Sequence, residues 1–234
     1  MQTSQAFLLR KFQYSEADYI VSAFTRDFGK IRGLAKNAKK SRKRFGGRLE
    51  PFVHLRIRFS QKPGSMKFIE DAETIKVFSN IMEDIELFAW GNFVLENIDL
   101  TLPEEEPNNN IFELLVHTLS SLSKDKHLPS NILNFQVSLL SYSGYKPNFD
   151  NCAGCGKPVD EGVFSIVKGG VLCRECREDK SNGFLLSKNF LSSIGSNEMN
   201  AERAFDFIRT LYRFTEYHTG KEIKSSKFIE EIMR

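Results

Sequence analysis

The sequence predicts an α+β, multidomain chain: a small β-barrel over residues 1–79, then an α-helical domain over 80–234 with a four-cysteine insert at about 150–180. Three observations predict it. Short alternating apolar runs fill the first part, helical spacing takes over near Asn80, and the cysteines form two CxxC pairs. At 234 residues, 41% hydrophobic and 27% charged, the chain is long enough for two modest cores.

In the first part, Tyr19–Thr25 is β-branched and aromatic, Lys30–Lys36 alternates in charge, and Val53–Phe59 alternates strictly. Val53, Leu55, Ile57 and Phe59 then face a core, while His54, Arg56 and Arg58 form a basic outer face. Gln5–Tyr14, Lys67–Ile69 and Thr74–Phe78 bring the count to five or six short strands, which suits a closed barrel without exposed edges. Most of its aromatics, Phe7, Phe12, Tyr19, Phe24, Phe52 and Phe59, are expected to fill that barrel. Phe45, beside Arg44 and two glycines, is either a packed anchor or a platform for a stacked base.

Beyond Asn80, Ile81, Ile85, Phe88 and Asn92–Leu95 recur at helical spacing. Pro103–Pro107 breaks the helix, and Glu104–Glu106 reads as a solvated acidic turn. Ile111–Leu122 and Ile132–Tyr142 are further amphipathic helices, the second with Ser130 as N-cap and Gly144 as its stop. Ala201–Tyr217 is the clearest, with Ala204, Phe205, Ile208, Leu211 and Tyr212 on one stripe and Gly220 after it.

Cys152, Cys155, Cys173 and Cys176 stand as two pairs separated by 17 residues, the spacing of a metal site built from two thiolate knuckles. Gly154 and Gly156 give the first knuckle a permissive backbone, and Val163–Val167 and Val171–Leu172 form a hairpin across Gly169–Gly170. That is a zinc-ribbon layout. Two disulfides would require an oxidising compartment, and no basic, apolar leader suggests one. A redox dithiol leaves the second pair unexplained, and a catalytic ion keeps an open position that four thiolates close. One structural Zn(II) is therefore expected, stabilising a segment with little core by about 10–16 kcal/mol of apparent binding energy.

The net charge of +3 conceals an asymmetry. Residues 1–68 carry 16 Lys and Arg against 4 Asp and Glu, so the rest has 17 against 26. Nine basic residues and no acidic one lie between Lys30 and Arg48. Such a cluster neutralises phosphates and releases their counterions, giving salt-sensitive binding with little sequence preference. The candidate contacts are Lys30, Arg32, Lys36, Lys39, Lys40, Arg42, Lys43, Arg44 and Arg48, on the strand and a mobile loop after it, with Arg56 and Arg58. No phosphate loop, GxGxxG, HExxH or GxSxG pattern occurs, and the histidines at 54, 117, 127 and 218 are scattered, so no enzyme is expected. No apolar run reaches the length of a membrane span, and a cytoplasmic, nucleoid-associated protein is expected. A zinc-ribbon module for RNA or the transcription machinery is the alternative reading.

Ala6–Leu9, Phe28–Lys36 with its basic loop, Leu49–Phe52, and Leu139–Pro147 ahead of Cys152–Gly156 together resemble the RecO family of bacterial recombination mediators over essentially the whole chain. The resemblance implies an oligonucleotide-binding (OB) fold, binding of single- and double-stranded DNA, and annealing of complementary strands without ATP hydrolysis. It also implies partnership with RecR, with the acidic tail of the single-stranded-DNA-binding protein and, indirectly, with RecA. Arg203, Arg209 and Arg213, beside the apolar stripe of Ala201–Tyr217, are the candidates for that tail. The net-negative C-terminal part departs from a uniformly basic binding surface.

Overall fold

The computed structural model describes residues 1–61, 66–124, 128–177, 183–194 and 199–232; His127 and residues 178–180 of the expected insert lie outside them. Five strands form the first part: β1 (Gln2–Gln13), β2 (Tyr19–Thr25), β3 (Gly29–Ala35), β4 (Val53–Ser60) and β5 (Lys67–Val77). They close into a barrel in the order β1-β2-β3-β5-β4, antiparallel except for a short parallel pairing of Gly33 and Leu34 with Lys67 and Phe68. The barrel is OB-like. The two runs expected at Lys67–Ile69 and Thr74–Phe78 are one continuous strand, β5.

Strand alternation decides what the barrel encloses. Ala6, Leu8, Val21, Ala23, Ile31, Leu55, Ile57, Phe59 and Ile69 point inward and form the core with Phe45 and Leu49 from the β3–β4 connection. Phe12 does not join them. A bulge between Leu8 and Arg10 shifts the register so that Lys11 stands opposite inward-facing Val21, which turns Phe12 outward, 52% exposed.

Helices α1 (Ser79–Glu83), α2 (Ile85–Thr101) and α3 (Asn109–Leu122) follow. The helical period from Asn80 shows no break between the first two; the Asp84 carboxylate divides them by accepting the N–H groups of Glu86 and Leu87 as the N-cap of α2. Outward-facing Phe7 and Phe24 pack on Phe112 of α3, with ring centroids 5.7 and 5.8 Å apart. His54 belongs to this buried patch rather than to a basic outer face. It stacks on Phe7 at 4.7 Å, and burial holds its imidazole below the usual pKa.

By compactness, Met1–Ser123 with Phe228–Arg234 form one unit, and Lys124–Lys227 the other. The second unit holds α4 (Leu128–Tyr142), β6 (Glu161–Ser165), β7 (Gly170–Leu172), β8 (Leu185–Ser187), α5 (Lys188–Ser192) and α6 (Ala201–Thr219); α7 (Ser225–Ile232) runs across the division. Ser130 lies inside α4 and is not its N-cap. The hairpin β6–β7 gains a third strand, β8, unforeseen because its three residues are too short to show a period. Phe149, Phe164, Phe184, Phe190, Phe207 and Phe214 form an aromatic cluster joining this sheet to α5 and α6. The cysteine insert thus shares a core with its surroundings.

Candidate nucleic-acid interface and metal centre

The basic segment after β3 is pinned to the barrel. Ala38, Phe45 and Leu49 are buried, and Phe45, only 1% exposed, inserts into the core. The loop closes on itself through Ser41, whose carbonyl accepts the N–H groups of Phe45 and Gly46 at 3.2 and 3.1 Å. It is tied to β5 as well: the Ala72 N–H donates to the Arg44 carbonyl at 3.1 Å, and Arg48 donates to the Ala72 carbonyl at 3.4 Å. Phe45 is therefore an anchor and unavailable for stacking. Its ring lies 5.0 Å from the Arg44 guanidinium, which also donates to the Lys36 carbonyl at 2.6 Å.

Anchoring by apolar residues leaves the cations outside. Lys36, Lys39, Lys40, Arg42 and Lys43 are exposed and Arg44 and Arg48 half-buried. Among the described residues, none of these seven forms an ion pair with a carboxylate. Lys36 helps hold the Asp18 carboxyl low, after the larger effect of the Asn37 N–H that Asp18 accepts at 2.7 Å. Lys39 and Lys11 lie over the Tyr19 ring, 5.4 and 5.1 Å from its centroid.

Strand-borne cations are placed otherwise. Lys30 is buried, donating to the Asp99 carbonyl at 2.6 Å and pairing with its carboxylate at 3.4 Å. A charge so enclosed cannot reach a phosphate, so Lys30 leaves the contact set. Arg32, Arg56 and Arg58 are exposed, but each faces a carboxylate at 3.5 Å: Glu104, Glu73 and Asp71. The acidic turn is not simply solvated. Glu105 pairs with buried Lys67, and its N–H donates to the Lys30 carbonyl at 2.9 Å.

In the second unit the four cysteine sulfurs all lie within 4.8 Å of one another. Gly156, at φ +76°, lets the first knuckle turn, and a Cβ on Gly154 would stand 3.0 Å from that of Cys176. The Gly154 and Cys173 N–H groups point at the Cys152 sulfur at 3.4 and 3.3 Å. Burial pushes the Cys152 thiol up, but backbone N–H groups of Cys173, Cys155 and Gly154 outweigh it and hold it at about 6. Cys176, sharing protons with Cys155, Cys173 and Cys152, is pushed up to about 12. All four cysteines are free of disulfides. Four converging sulfurs with oriented N–H donors fit a tetrahedral thiophilic ion and leave no position open for substrate.

The three arginines of α6 differ. Arg203 lies over Phe190 at 5.1 Å and Phe184 at 5.8 Å and donates to the Leu185 carbonyl at 3.1 Å, so it braces β8. Arg209 pairs with Asp206 at 3.3 Å, and Arg213 is exposed one turn on. Among the described residues, no helix is long and apolar enough to cross a membrane.

Comparison with known proteins covers nearly the whole chain. Residues 1–78 match the family described as recombination protein O N terminal, and 82–227 match recombination protein O C terminal. A protein of Desulfatibacillum aliphaticivorans named DNA repair protein RecO is 34% identical, with 99% of this chain and 97% of the relative covered. The protein of the same name from Myxococcus xanthus is 29% identical over 97% of this chain and 96% of its own. That of Geobacter sulfurreducens is 35% identical over 74% and 71%.

Proposed function

This chain belongs to the RecO family of DNA repair proteins, and we propose that it works as a mediator with no catalytic chemistry of its own. It binds single- and double-stranded DNA, anneals complementary strands and, with RecR, loads RecA onto strands coated by the single-stranded-DNA-binding protein. The observation that carries this reading is the pinned loop, whose cations Lys36, Lys39, Lys40, Arg42, Lys43, Arg44 and Arg48 meet no carboxylate partner among the described residues.

Each strand brings its phosphates to this loop, displacing counterions. Two strands held on cationic surfaces repel each other less and meet at a raised local concentration, so pairing accelerates while base complementarity supplies the selection. Arg32, Arg56 and Arg58 join at the margin by exchanging a carboxylate partner for a phosphate. Lys30 keeps its structural pairing with Asp99.

Cys152, Cys155, Cys173 and Cys176 hold one Zn(II) as a scaffold; bound there, the ion supplies folding energy and no reactive water. Arg209 and Arg213 are proposed to take the acidic tail of the coated-strand protein. Arg203 is left out because its own aromatic neighbours and the Leu185 carbonyl occupy it. This reading places the protein in the cytoplasm, at the nucleoid.

The test is pairing of two complementary labelled oligonucleotides, each precoated with the single-stranded-DNA-binding protein, across a salt series without ATP. Accelerated, salt-sensitive pairing is expected. No acceleration at any salt concentration would contradict the mediator role.

A further inference from the structure

Phe12 lies in a row that crosses the outer face of four strands. It stands opposite Ile20 on β2, Ile20 opposite Leu34 on β3, and Leu34 opposite Phe68 on β5. The flanking Val21, Ala35 and Ile69 point into the core, so this row points away from it. At a strand spacing of about 4.8 Å the row extends roughly 14 Å. Ile20, Leu34 and Phe68 are half-buried, while Phe12 and neighbouring Tyr14 are 52% and 64% exposed. Single exposed apolar residues are ordinary, but four in consecutive register form a patch.

Charge identifies what covers it. One pleat along the same face runs a second row, Arg10–Ser22–Arg32, whose arginines already pair with Asp99 and Glu104. On the other flank, exposed Lys36 leads into the basic loop. An apolar and aromatic strip bordered on the loop side by unpaired cations matches a single strand: bases have apolar faces, and the backbone beside them is anionic. In a duplex those faces are stacked on one another and unavailable. An acidic protein segment would match the loop margin but leave the aromatic strip unused.

We propose that Phe12, supported by Ile20 and Leu34 and flanked by Tyr14, is a stacking platform for unpaired bases, which makes the barrel favour single-stranded over duplex DNA. This rests on the DNA-binding reading and adds a residue set that phosphate contact does not require. The loop holds both forms, and the platform discriminates between them.

The test measures affinity for a fluorescent oligo-dT strand and for a duplex of equal length, using the full chain, Phe12→Ala with Tyr14→Ala, and Phe12→Trp. Both residues are exposed, so melting temperatures are expected to stay unchanged. The double variant is expected to lose at least about fivefold in affinity for oligo-dT, with duplex binding and the salt slope retained, because stacking is worth about 1–3 kcal/mol per base. Phe12→Trp is expected to keep single-strand binding. An equal loss for both probes, or no loss for either, would overturn the platform while wild-type binding left the loop reading standing. Failure of the wild-type chain to bind either probe would overturn both.

Discussion

The loop at 36–48 and the barrel strands beside it carry the same residue types and use them oppositely. Strand cations are met by carboxylates: Lys30 by Asp99, Arg32 by Glu104, Arg56 by Glu73 and Arg58 by Asp71. Loop cations have no such partner among the described residues, because the loop attaches to the barrel through Phe45 and Leu49 and through backbone hydrogen bonds. A cation is available to a phosphate when something other than its charge holds its segment in place.

The sharpest way to break this contrast is to release the anchor. Phe45→Ala removes a fully buried ring and is expected to cost about 3–5 kcal/mol, read by denaturant unfolding. DNA affinity should fall with it, although no cation is touched. Replacing Lys40, Arg42 and Lys43 by alanine does the reverse: stability stays within about 0.5 kcal/mol, and single-strand affinity falls roughly a hundredfold near 0.1 M salt, from three lost phosphate contacts. Filter binding with several unrelated sequences would show equal losses.

Lys30→Met is expected to cost about 1–3 kcal/mol, since it removes one of the two cations that pair with Asp99 among the described residues. A thermal melt measures this, and DNA affinity should change less than twofold. Arg56→Ala with Arg58→Ala removes two exposed pairs, each worth no more than about 1 kcal/mol, and should weaken binding by less than the loop variant does. Removing the metal with a chelator should have the smallest effect on DNA binding, none at the barrel. It is expected to loosen the cysteine knuckles locally, seen by hydrogen exchange, while the aromatic cluster around Phe207 still holds the sheet.

Much of this was legible because it is local. Tyr19–Thr25 shows its strand in its β-branched and aromatic residues and Val53–Phe59 in its alternation, and the spacing of the CxxC pairs shows that their four sulfurs can converge. What escaped depends on partners distant in sequence or on a break in period. Lys30 looked free because its partner Asp99 stands 69 residues away on another element. Phe12 looked internal because uninterrupted alternation groups it with Ala6 and Leu8, and nothing in the residues marks the bulge that turns it out. His54 shares a face with Arg56 and Arg58, but α3 covers only the His54 end of it. Helix periodicity likewise put Ile85 on an inner stripe, whereas it is 67% exposed just after the Asp84 cap.

The most direct measurement is the salt dependence of oligo-dT binding for three proteins: the full chain, the Lys40, Arg42 and Lys43 alanine variant, and the Arg56 and Arg58 alanine variant. Loss of three free cations should reduce the slope of log K against log salt by about 2, at about 0.7 per phosphate contact on a single strand. The strand variant should leave the slope nearly unchanged, because its arginines are already neutralised. Equal reductions in the two variants, or a loop variant with the full slope, would contradict the division between free loop charge and paired strand charge.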